Sequence, residues 1–178
     1  MKGVVFNLLA ETVSNAHGEE AWDGLLAAAG LDGAYTSLGS YPDEQMFSLV
    51  AVAAEVLGIS RNEVLRWFGR SAMPMLATRY GVFFEGHRSA RSFLFSVNDI
   101  IHPEVRKLYV GAACPYIDLH EEDDGTLMVG YRSARRMCGL AHGFMEGAAA
   151  HYGETIVVEH RQCTDNGDAR CMMAVAWS

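Results

Sequence analysis

The sequence predicts an α+β fold, in which an N-terminal helical lobe packs on a C-terminal antiparallel sheet that carries one helix. Two observations predict this class. Apolar residues recur at helical spacing through the first two-thirds of the 178 residues. After Gly111 their period changes from 3.6 to 2, and turn-rich segments at 121–125 and 164–168 separate alternating runs, as in β-hairpins.

The first three helices are predicted from apolar periodicity between helix-start and helix-stop residues. Residues 19–29 begin with two acids. Pro42 suits the first position of the third helix, where Asp43 and Glu44 complement the helix dipole. A glycine follows each apolar stretch and can end the helix. These glycines are Gly18, Gly30 and Gly58.

A fourth helix is predicted from the capping box that Ser60 and Glu63 form. The segment that follows is expected to be short, because Pro74 interrupts it. A further helical stretch covers about residues 90–109. Pro103 lies within it, lacks a backbone donor and disfavours helical geometry at the preceding residue, so we expect a kink or a restart there.

The C-terminal part is predicted to hold two hairpins with one helix, residues 136–152, between them. Each hairpin consists of two alternating runs around one of the turn-rich segments. The predicted strands are 116–120, 126–135, 155–162 and 170–177.

Composition excludes several classes of function. The formal net charge is −8, from 14 basic and 22 acidic residues, and there is no basic run, so nucleic acid is a poor partner. No apolar run approaches the roughly 20 residues that span a membrane. Asn7 and Glu11 interrupt the segment that would be apolar in a signal peptide. We therefore expect a cytoplasmic protein with reduced thiols and no membrane partner.

Tyr131, Ser133 and Arg135 are a candidate anion site. On a strand over residues 127–135 these three side chains share one face, because side chains alternate with period 2. An arginine fork with two hydroxyls suits a carboxylate or a phosphate. The alternative is the exposed polar face of a hairpin strand.

Three cysteines and a histidine are a candidate metal site. Cys₃His is a common ligand set of structural zinc, and residues on both sides of a hairpin turn can reach one ion. The spacing does not match common zinc fingers, so separate buried thiols in a reduced core are the alternative. The four residues are Cys138, His160, Cys163 and Cys171.

His102 lies in the apolar stretch "VNDIIHPEVRKLY". By position alone it is most simply a core histidine. An imidazole in apolar surroundings also suits the iron of a porphyrin, which needs apolar walls, an axial ligand and a cationic anchor for its propionates. Composition permits haem without selecting it.

Together these motifs resemble the haem nitric oxide/oxygen-binding (H-NOX) family of bacterial sensors, which is related to the haem domain of soluble guanylate cyclase. The resemblance covers essentially the whole chain. Its motifs are "MKGVVFNLL", "SYPDEQMFSLV", "DIIHPEVRKLY" and "YRSAR" at the family's Y-x-S-x-R position. It implies one domain over residues 1–178, with haem b between a distal helical lobe (1–60) and proximal helices plus sheet (61–178).

The resemblance also assigns roles. His102 matches the proximal ligand of the haem iron, and Tyr131, Ser133 and Arg135 match the trio that binds the propionates. Pro115 matches the proline that presses on the porphyrin and keeps it out of plane. The Cys₃His set matches a structural zinc site found in part of the family.

Leu140 occupies the position at which oxygen-binding members of the family carry a distal tyrosine. Its expected neighbours on the distal wall are Val5, Leu9 and Phe144. Dioxygen in such a pocket carries partial negative charge and needs a hydrogen-bond donor, whereas NO and CO need one much less. An apolar distal wall therefore predicts binding of NO and CO and exclusion of O₂, unless Tyr80 or Tyr152 reaches the pocket.

The resemblance thus implies an NO sensor rather than an enzyme, and the chain shows no G-x-S-x-G, P-loop, H-E-x-x-H or C-x-x-C motif. NO is expected to weaken the iron bond to His102, and the relaxing haem to shift the two lobes. The implied partner is a histidine kinase or a cyclic-di-GMP enzyme. The alternative is a zinc-stabilised structural or small-ligand binding module without haem.

Overall fold

The computed structural model describes residues 1–178 and has the predicted α+β architecture. Seven α-helices precede or interrupt one antiparallel sheet. No helix is both long and apolar enough to cross a bilayer. The helices are α1 (Gly3–His17), α2 (Glu19–Ala29), α3 (Asp43–Leu57), α4 (Arg61–Arg79), α5 (Ala90–Phe95), α6 (His102–Leu108) and α7 (Cys138–His151).

The sheet consists of the two predicted hairpins, joined through their second strands in the order β1-β2-β4-β3. Alternate residues of the two central strands are buried, as a sheet with one covered face requires. Helices α5 and α7 contribute to the same apolar cluster as this face. The strands are β1 (Tyr116–Glu121), β2 (Leu127–Arg132), β3 (Ile156–Gln162) and β4 (Cys171–Trp177).

Helix α4 is longer than the sequence predicted. The capping box of Ser60 and Glu63 is present, but the helix continues through Pro74 to Arg79, so the prediction of an interruption was wrong. A proline inside a helix costs about 3 kcal/mol. Five buried apolar side chains of α4 offset this cost, because all but the alanine each contribute roughly 1.5–3 kcal/mol when fully buried. They are Val64, Leu65, Phe68, Ala72 and Met73.

Helices α4 and α7 pack with their backbones in contact. Gly139 and Gly143 lie one turn apart on α7 and face α4. A Cβ added at Gly139 would collide with the Asn62 carbonyl, and one added at Gly143 would collide with the Arg66 carbonyl. Gly69 of α4 meets the backbone of α7 in the same way. These glycines therefore set the close spacing that places α7 beside both the helical lobe and the sheet.

We expect Gly143→Ala to destabilise the fold by about 1–3 kcal/mol, because the added methyl meets the backbone of α4 and the neighbour cannot rotate away. Urea unfolding of the purified variant measures this change. The matched control is Gly24→Ala in α2, where an added Cβ meets nothing within 4 Å. That variant should be neutral or more stable by up to about 1 kcal/mol, and equal effects at both positions would contradict the packing argument.

The helical stretch before the sheet is divided by a π-helical turn. Residues Val97–Ile101 form this turn between α5 and α6, and the backbone N–H of Ile101 donates to the Ser96 carbonyl five residues back. A new α-helix begins at His102, with Pro103 in its first turn, which confirms the expected restart. His102 itself keeps α-helical dihedral angles, with φ −64° and ψ −38°, so the expectation that Pro103 disfavours helical geometry at this residue is not met.

The apolar core consists of two clusters. One contains α1 to α3 and the first half of α4, and the other contains the sheet, α5 and much of α7. Leu76 and Phe144 pack against both clusters while remaining partly exposed. A partly covered apolar boundary therefore runs between the helical lobe and the sheet side of the molecule.

Candidate functional site

His102 lies at the start of α6, next to the second cluster, and is about half-buried. Its Nδ1 atom is fully buried and makes no hydrogen bond. Burial, together with the positive charge of Arg106, lowers the pKa of His102 to about 4, although the nearby Pro115 carbonyl acts in the opposite direction. At neutral pH the imidazole is uncharged, which is the state that ligates a metal.

Pro115 lies beside His102, as the backbone contact between them shows. Asn98 of the π turn holds this arrangement, because its carboxamide oxygen accepts from the Ile117 N–H at 3.1 Å and its amide donates to the Ile117 carbonyl. The π turn is thereby fastened to β1 two residues beyond Pro115. Sequence reasoning missed Asn98, whose partner is a strand backbone 19 residues later.

Tyr131, Ser133 and Arg135 are close together, but not as the sequence predicted. Strand β2 ends at Arg132, and Ser133 and Arg135 lie in the turn that follows. The prediction that the three side chains share one strand face was therefore wrong. Arg136 adopts a positive φ of 51°, and the chain reverses there. The Ser133 hydroxyl accepts from the Arg135 N–H at 3.2 Å, so the turn itself gathers the polar groups.

The Tyr131 hydroxyl faces the same turn. Burial raises the pKa of Tyr131, while contacts with the Ser133 side chain and the Met137 backbone lower it. The phenol therefore stays protonated at neutral pH and is available as a hydrogen-bond donor.

Arg135 is held by partners outside the motif. Its Nε donates to Asp43 of α3 at 2.8 Å, and Nη1 donates to the Ala113 carbonyl at 2.6 Å. Sequence reasoning did not pair Asp43 with Arg135, because 92 residues separate them. Burial acts to raise the pKa of Asp43, but hydrogen bonds and positive charge from the Met1 ammonium, 2.7 Å away, and from Arg135 hold it below its usual value. The guanidinium therefore joins α3 to the turn after β2, with Nη2 remaining for another acceptor.

The four residues of the predicted distal wall all belong to, or pack against, the helical-lobe cluster. Leu9 is buried in it, whereas Val5, Leu140 and Phe144 are partly exposed at its edge. Tyr80 and Tyr152, the two tyrosines named as alternative donors to the pocket, make hydrogen bonds with other residues. The Tyr80 hydroxyl lies 2.6 Å from that of Tyr109, and the Tyr152 hydroxyl donates to the Phe84 carbonyl at 2.9 Å.

The three cysteines of the candidate metal site form one buried cluster. The Sγ atoms of Cys138, Cys163 and Cys171 lie within 4.8 Å of one another, and all three thiols are free. Burial and the neighbouring thiols raise the pKa of Cys138, so this thiol is neutral without a metal. A cation that binds thiolates would release their protons, as zinc does.

His160 lies close to this cluster in the chain but is not among the mutually close ligand atoms. Its Nε2 is 3.0 Å from Nδ1 of His142, a buried residue of α7 that the sequence analysis did not single out. The structure thus brings three of the four predicted zinc ligands together, and the fourth, His160, contacts His142 instead.

The residues present fit two cofactors. An uncharged imidazole with a buried, unpaired nitrogen beside a partly covered apolar boundary fits the axial ligand of a haem. The arginine and two hydroxyls at the turn fit its propionates. Three clustered thiols fit a thiophilic ion such as zinc.

Comparisons with known proteins agree with the haem chemistry. The haem-NO-binding family matches residues 2–160. An H-NOX protein from S. oneidensis, solved in the Fe(II)NO ligation state, is 31% identical and superposes with a TM-score of 0.92, covering 100% of this chain and 99% of that chain. The NMR structure of a Shewanella oneidensis H-NOX domain in the Fe(II)CO state is also 31% identical and superposes with a TM-score of 0.87. The match covers 100% of this chain and 99% of that chain.

An unliganded Fe(II) H-NOX protein from K. algicida shares the fold, with 24% identity, a TM-score of 0.85 and coverage of 100% of this chain and 97% of that chain. A comparison with curated proteins finds no match. The match over residues 2–160 and the 31% identity along the whole chain settle the family. This chain belongs to the haem-NO-binding family and has the fold of the H-NOX gas sensors.

Proposed function

We propose that this protein binds NO and CO at a ferrous haem b, excludes O₂ and signals to a separate protein. The observation that carries the proposal is His102, an uncharged and partly buried imidazole whose Nδ1 has no hydrogen bond. The family assignment favours this function over the alternative, a zinc-stabilised binding module without haem.

Three groups of residues would hold the cofactor. His102 would ligate the iron, and Tyr131, Ser133 and Arg135 would bind the propionates through two hydroxyls and the guanidinium. Pro115, which lies against His102, would press on the porphyrin. When bound, the haem supplies the ferrous iron at which diatomic gases bind.

The distal wall supports selectivity against O₂. Val5, Leu9, Leu140 and Phe144 offer no hydrogen-bond donor, and the hydroxyls of Tyr80 and Tyr152 each make a hydrogen bond with another residue. O₂ requires such a donor more than NO or CO does.

Signalling is proposed to begin when NO binding releases His102. Release of His102 would remove a constraint at the first residue of α6, while Asn98 would still tie the adjoining π turn to β1. Movement of α6 would therefore reach the sheet and shift the distal lobe (1–60) against the proximal part (61–178). The resemblance supports a histidine kinase or a cyclic-di-GMP enzyme as the partner.

Absorption spectra of the reduced protein test this function. We expect a haem Soret band that shifts when NO or CO is added and does not shift in air. A colourless protein after expression with excess haem precursor would contradict haem binding, and a stable spectral change in air would contradict the exclusion of O₂.

We further propose that Cys138, His160, Cys163 and Cys171 bind one structural zinc ion. The clustering of three buried, free thiols supports this, and His160, which precedes Cys163 by three residues, would supply the fourth ligand. The ion would connect the start of α7 with both strands of the second hairpin.

Removing this zinc is expected to destabilise the protein by about 2.7 kcal/mol at a free zinc concentration 100 times the dissociation constant. Thermal unfolding with and without a chelator measures the change, and elemental analysis should give one zinc per chain. Cys163→Ser should abolish both the zinc and the chelator effect. Cys114→Ser is the matched control, because Cys114 is a free thiol outside the cluster, and loss of zinc in that variant would contradict the assignment.

A further inference from the structure

A chain of polar side chains leads from His160 across α7 to α4. His160 Nε2 lies 3.0 Å from Nδ1 of His142, and Nε2 of His142 faces Glu146 Oε1 at 3.5 Å. Glu146 in turn receives two hydrogen bonds from Arg66, from Nε at 2.9 Å and Nη2 at 2.5 Å. Each group in this chain contacts the next one, and the chain ends at the proposed fourth zinc ligand.

His142 is buried too deeply to be an incidental surface contact. Its side chain is 8% exposed, and its Nε2 has no hydrogen bond in the structure apart from the longer approach to Glu146. A neutral imidazole that carries its proton on Nε2, toward the carboxylate, presents Nδ1 as an acceptor.

The contact between the two histidines decides which nitrogen of His160 is available to a metal. A nitrogen that donates its proton to His142 cannot also give a lone pair to zinc, so the other nitrogen, Nδ1, must be the ligand. Ligating histidines commonly donate their second N–H to a partner that orients the ring and increases its basicity.

We propose that His142 is a positioning residue for the zinc site, accepting the Nε2 proton of His160 and thereby presenting His160 Nδ1 to the three thiolates. Glu146, held by Arg66, orients His142 from behind. This inference rests on the proposed zinc site, and it adds a residue that links that site to α4.

Two substitutions of nearly equal shape at His142 distinguish the effect of a hydrogen-bond acceptor from the effect of packing alone. The carboxamide oxygen of asparagine lies the same number of bonds from Cα as Nδ1 of histidine, whereas leucine has a similar outline and no acceptor. We expect His142→Leu to weaken zinc binding roughly 10- to 100-fold and His142→Asn to retain most of the affinity. Competition with a chromophoric chelator measures the affinity, and His151→Leu, at an exposed position of the same helix, is the control.

A spectroscopic measurement on the unaltered protein needs no variant. Long-range ¹H–¹⁵N NMR of the zinc-loaded protein should show His160 with a proton on Nε2 and zinc on Nδ1. Zinc on Nε2, or equal zinc affinity in His142→Leu and His142→Asn, would overturn the positioning role while leaving the zinc site intact. No tight zinc in the unaltered protein, with no loss in Cys163→Ser, would overturn the zinc site and this inference together.

Discussion

Replacing His102 by alanine is expected to abolish stable haem binding. No second imidazole in the structure combines its burial, its neutral state and its position beside Pro115. We expect haem affinity to fall by more than the roughly 10- to 100-fold that follows loss of a residue supporting a metal ligand. The ratio of haem to protein after purification without imidazole measures the effect.

Imidazole added during expression should restore haem to the His102→Ala variant, because the small ligand can occupy the space that the side chain leaves. His120→Ala is the matched control, since His120 is an exposed histidine on β1 and its loss should leave haem content unchanged. Normal haem occupancy in His102→Ala, with the same ferrous Soret band, would remove His102 as the ligand.

Replacing Leu140 by tyrosine is expected to convert the protein into one that binds O₂. Leu140 lies partly exposed on α7 at the edge of the helical-lobe cluster, so a phenol there adds a donor to an apolar wall. A hydrogen bond to a charged acceptor contributes about 1.5–3 kcal/mol, which corresponds to roughly a 10- to 100-fold gain in O₂ affinity. Spectra of the reduced variant in air measure it.

Leu140→Phe separates the hydroxyl from the size of the ring. It should leave the protein unresponsive to air, because it enlarges the side chain without adding a donor. An O₂ response in both variants, or in neither, would show that the hydrogen bond at this position does not control selectivity.

Much of the fold was predictable because local signals agree with the tertiary structure. The glycines after α1, α2 and α3 and the capping box of α4 are short-range features, and each lies at an observed helix boundary. The hairpins followed from alternation around turn residues. The interruption at Pro74 was predicted from the local cost of a proline in a helix. The burial of α4 offsets that cost, and it depends on residues distant in the chain, so no local sequence pattern indicates it.

The site was predictable only in part, and the reason is again the range of the interactions. Single residues such as His102 could be named from a motif. The residues that hold the site in place could not be named, because their partners are distant in the chain. Asp43, Asn98 and His142 contact residues that are 92, 19 and 18 positions away, respectively. Tyr131 and Arg135 were predicted to share one face of a strand. The strand ends before Arg135, and a turn that contains a left-handed residue brings the two side chains together instead.

The π turn before His102 has a consequence for changes in chain length. It holds one residue more than an α-helical ladder needs, so deleting one residue from Val97–Ile101 would leave a regular helix that still satisfies its backbone. The deletion would leave the direction of His102 relative to α5 nearly unchanged, because the wider π turn takes up the additional residue by itself. A deletion in this segment would therefore be felt less at His102 than at Asn98, whose two hydrogen bonds to Ile117 of β1 start from the π turn.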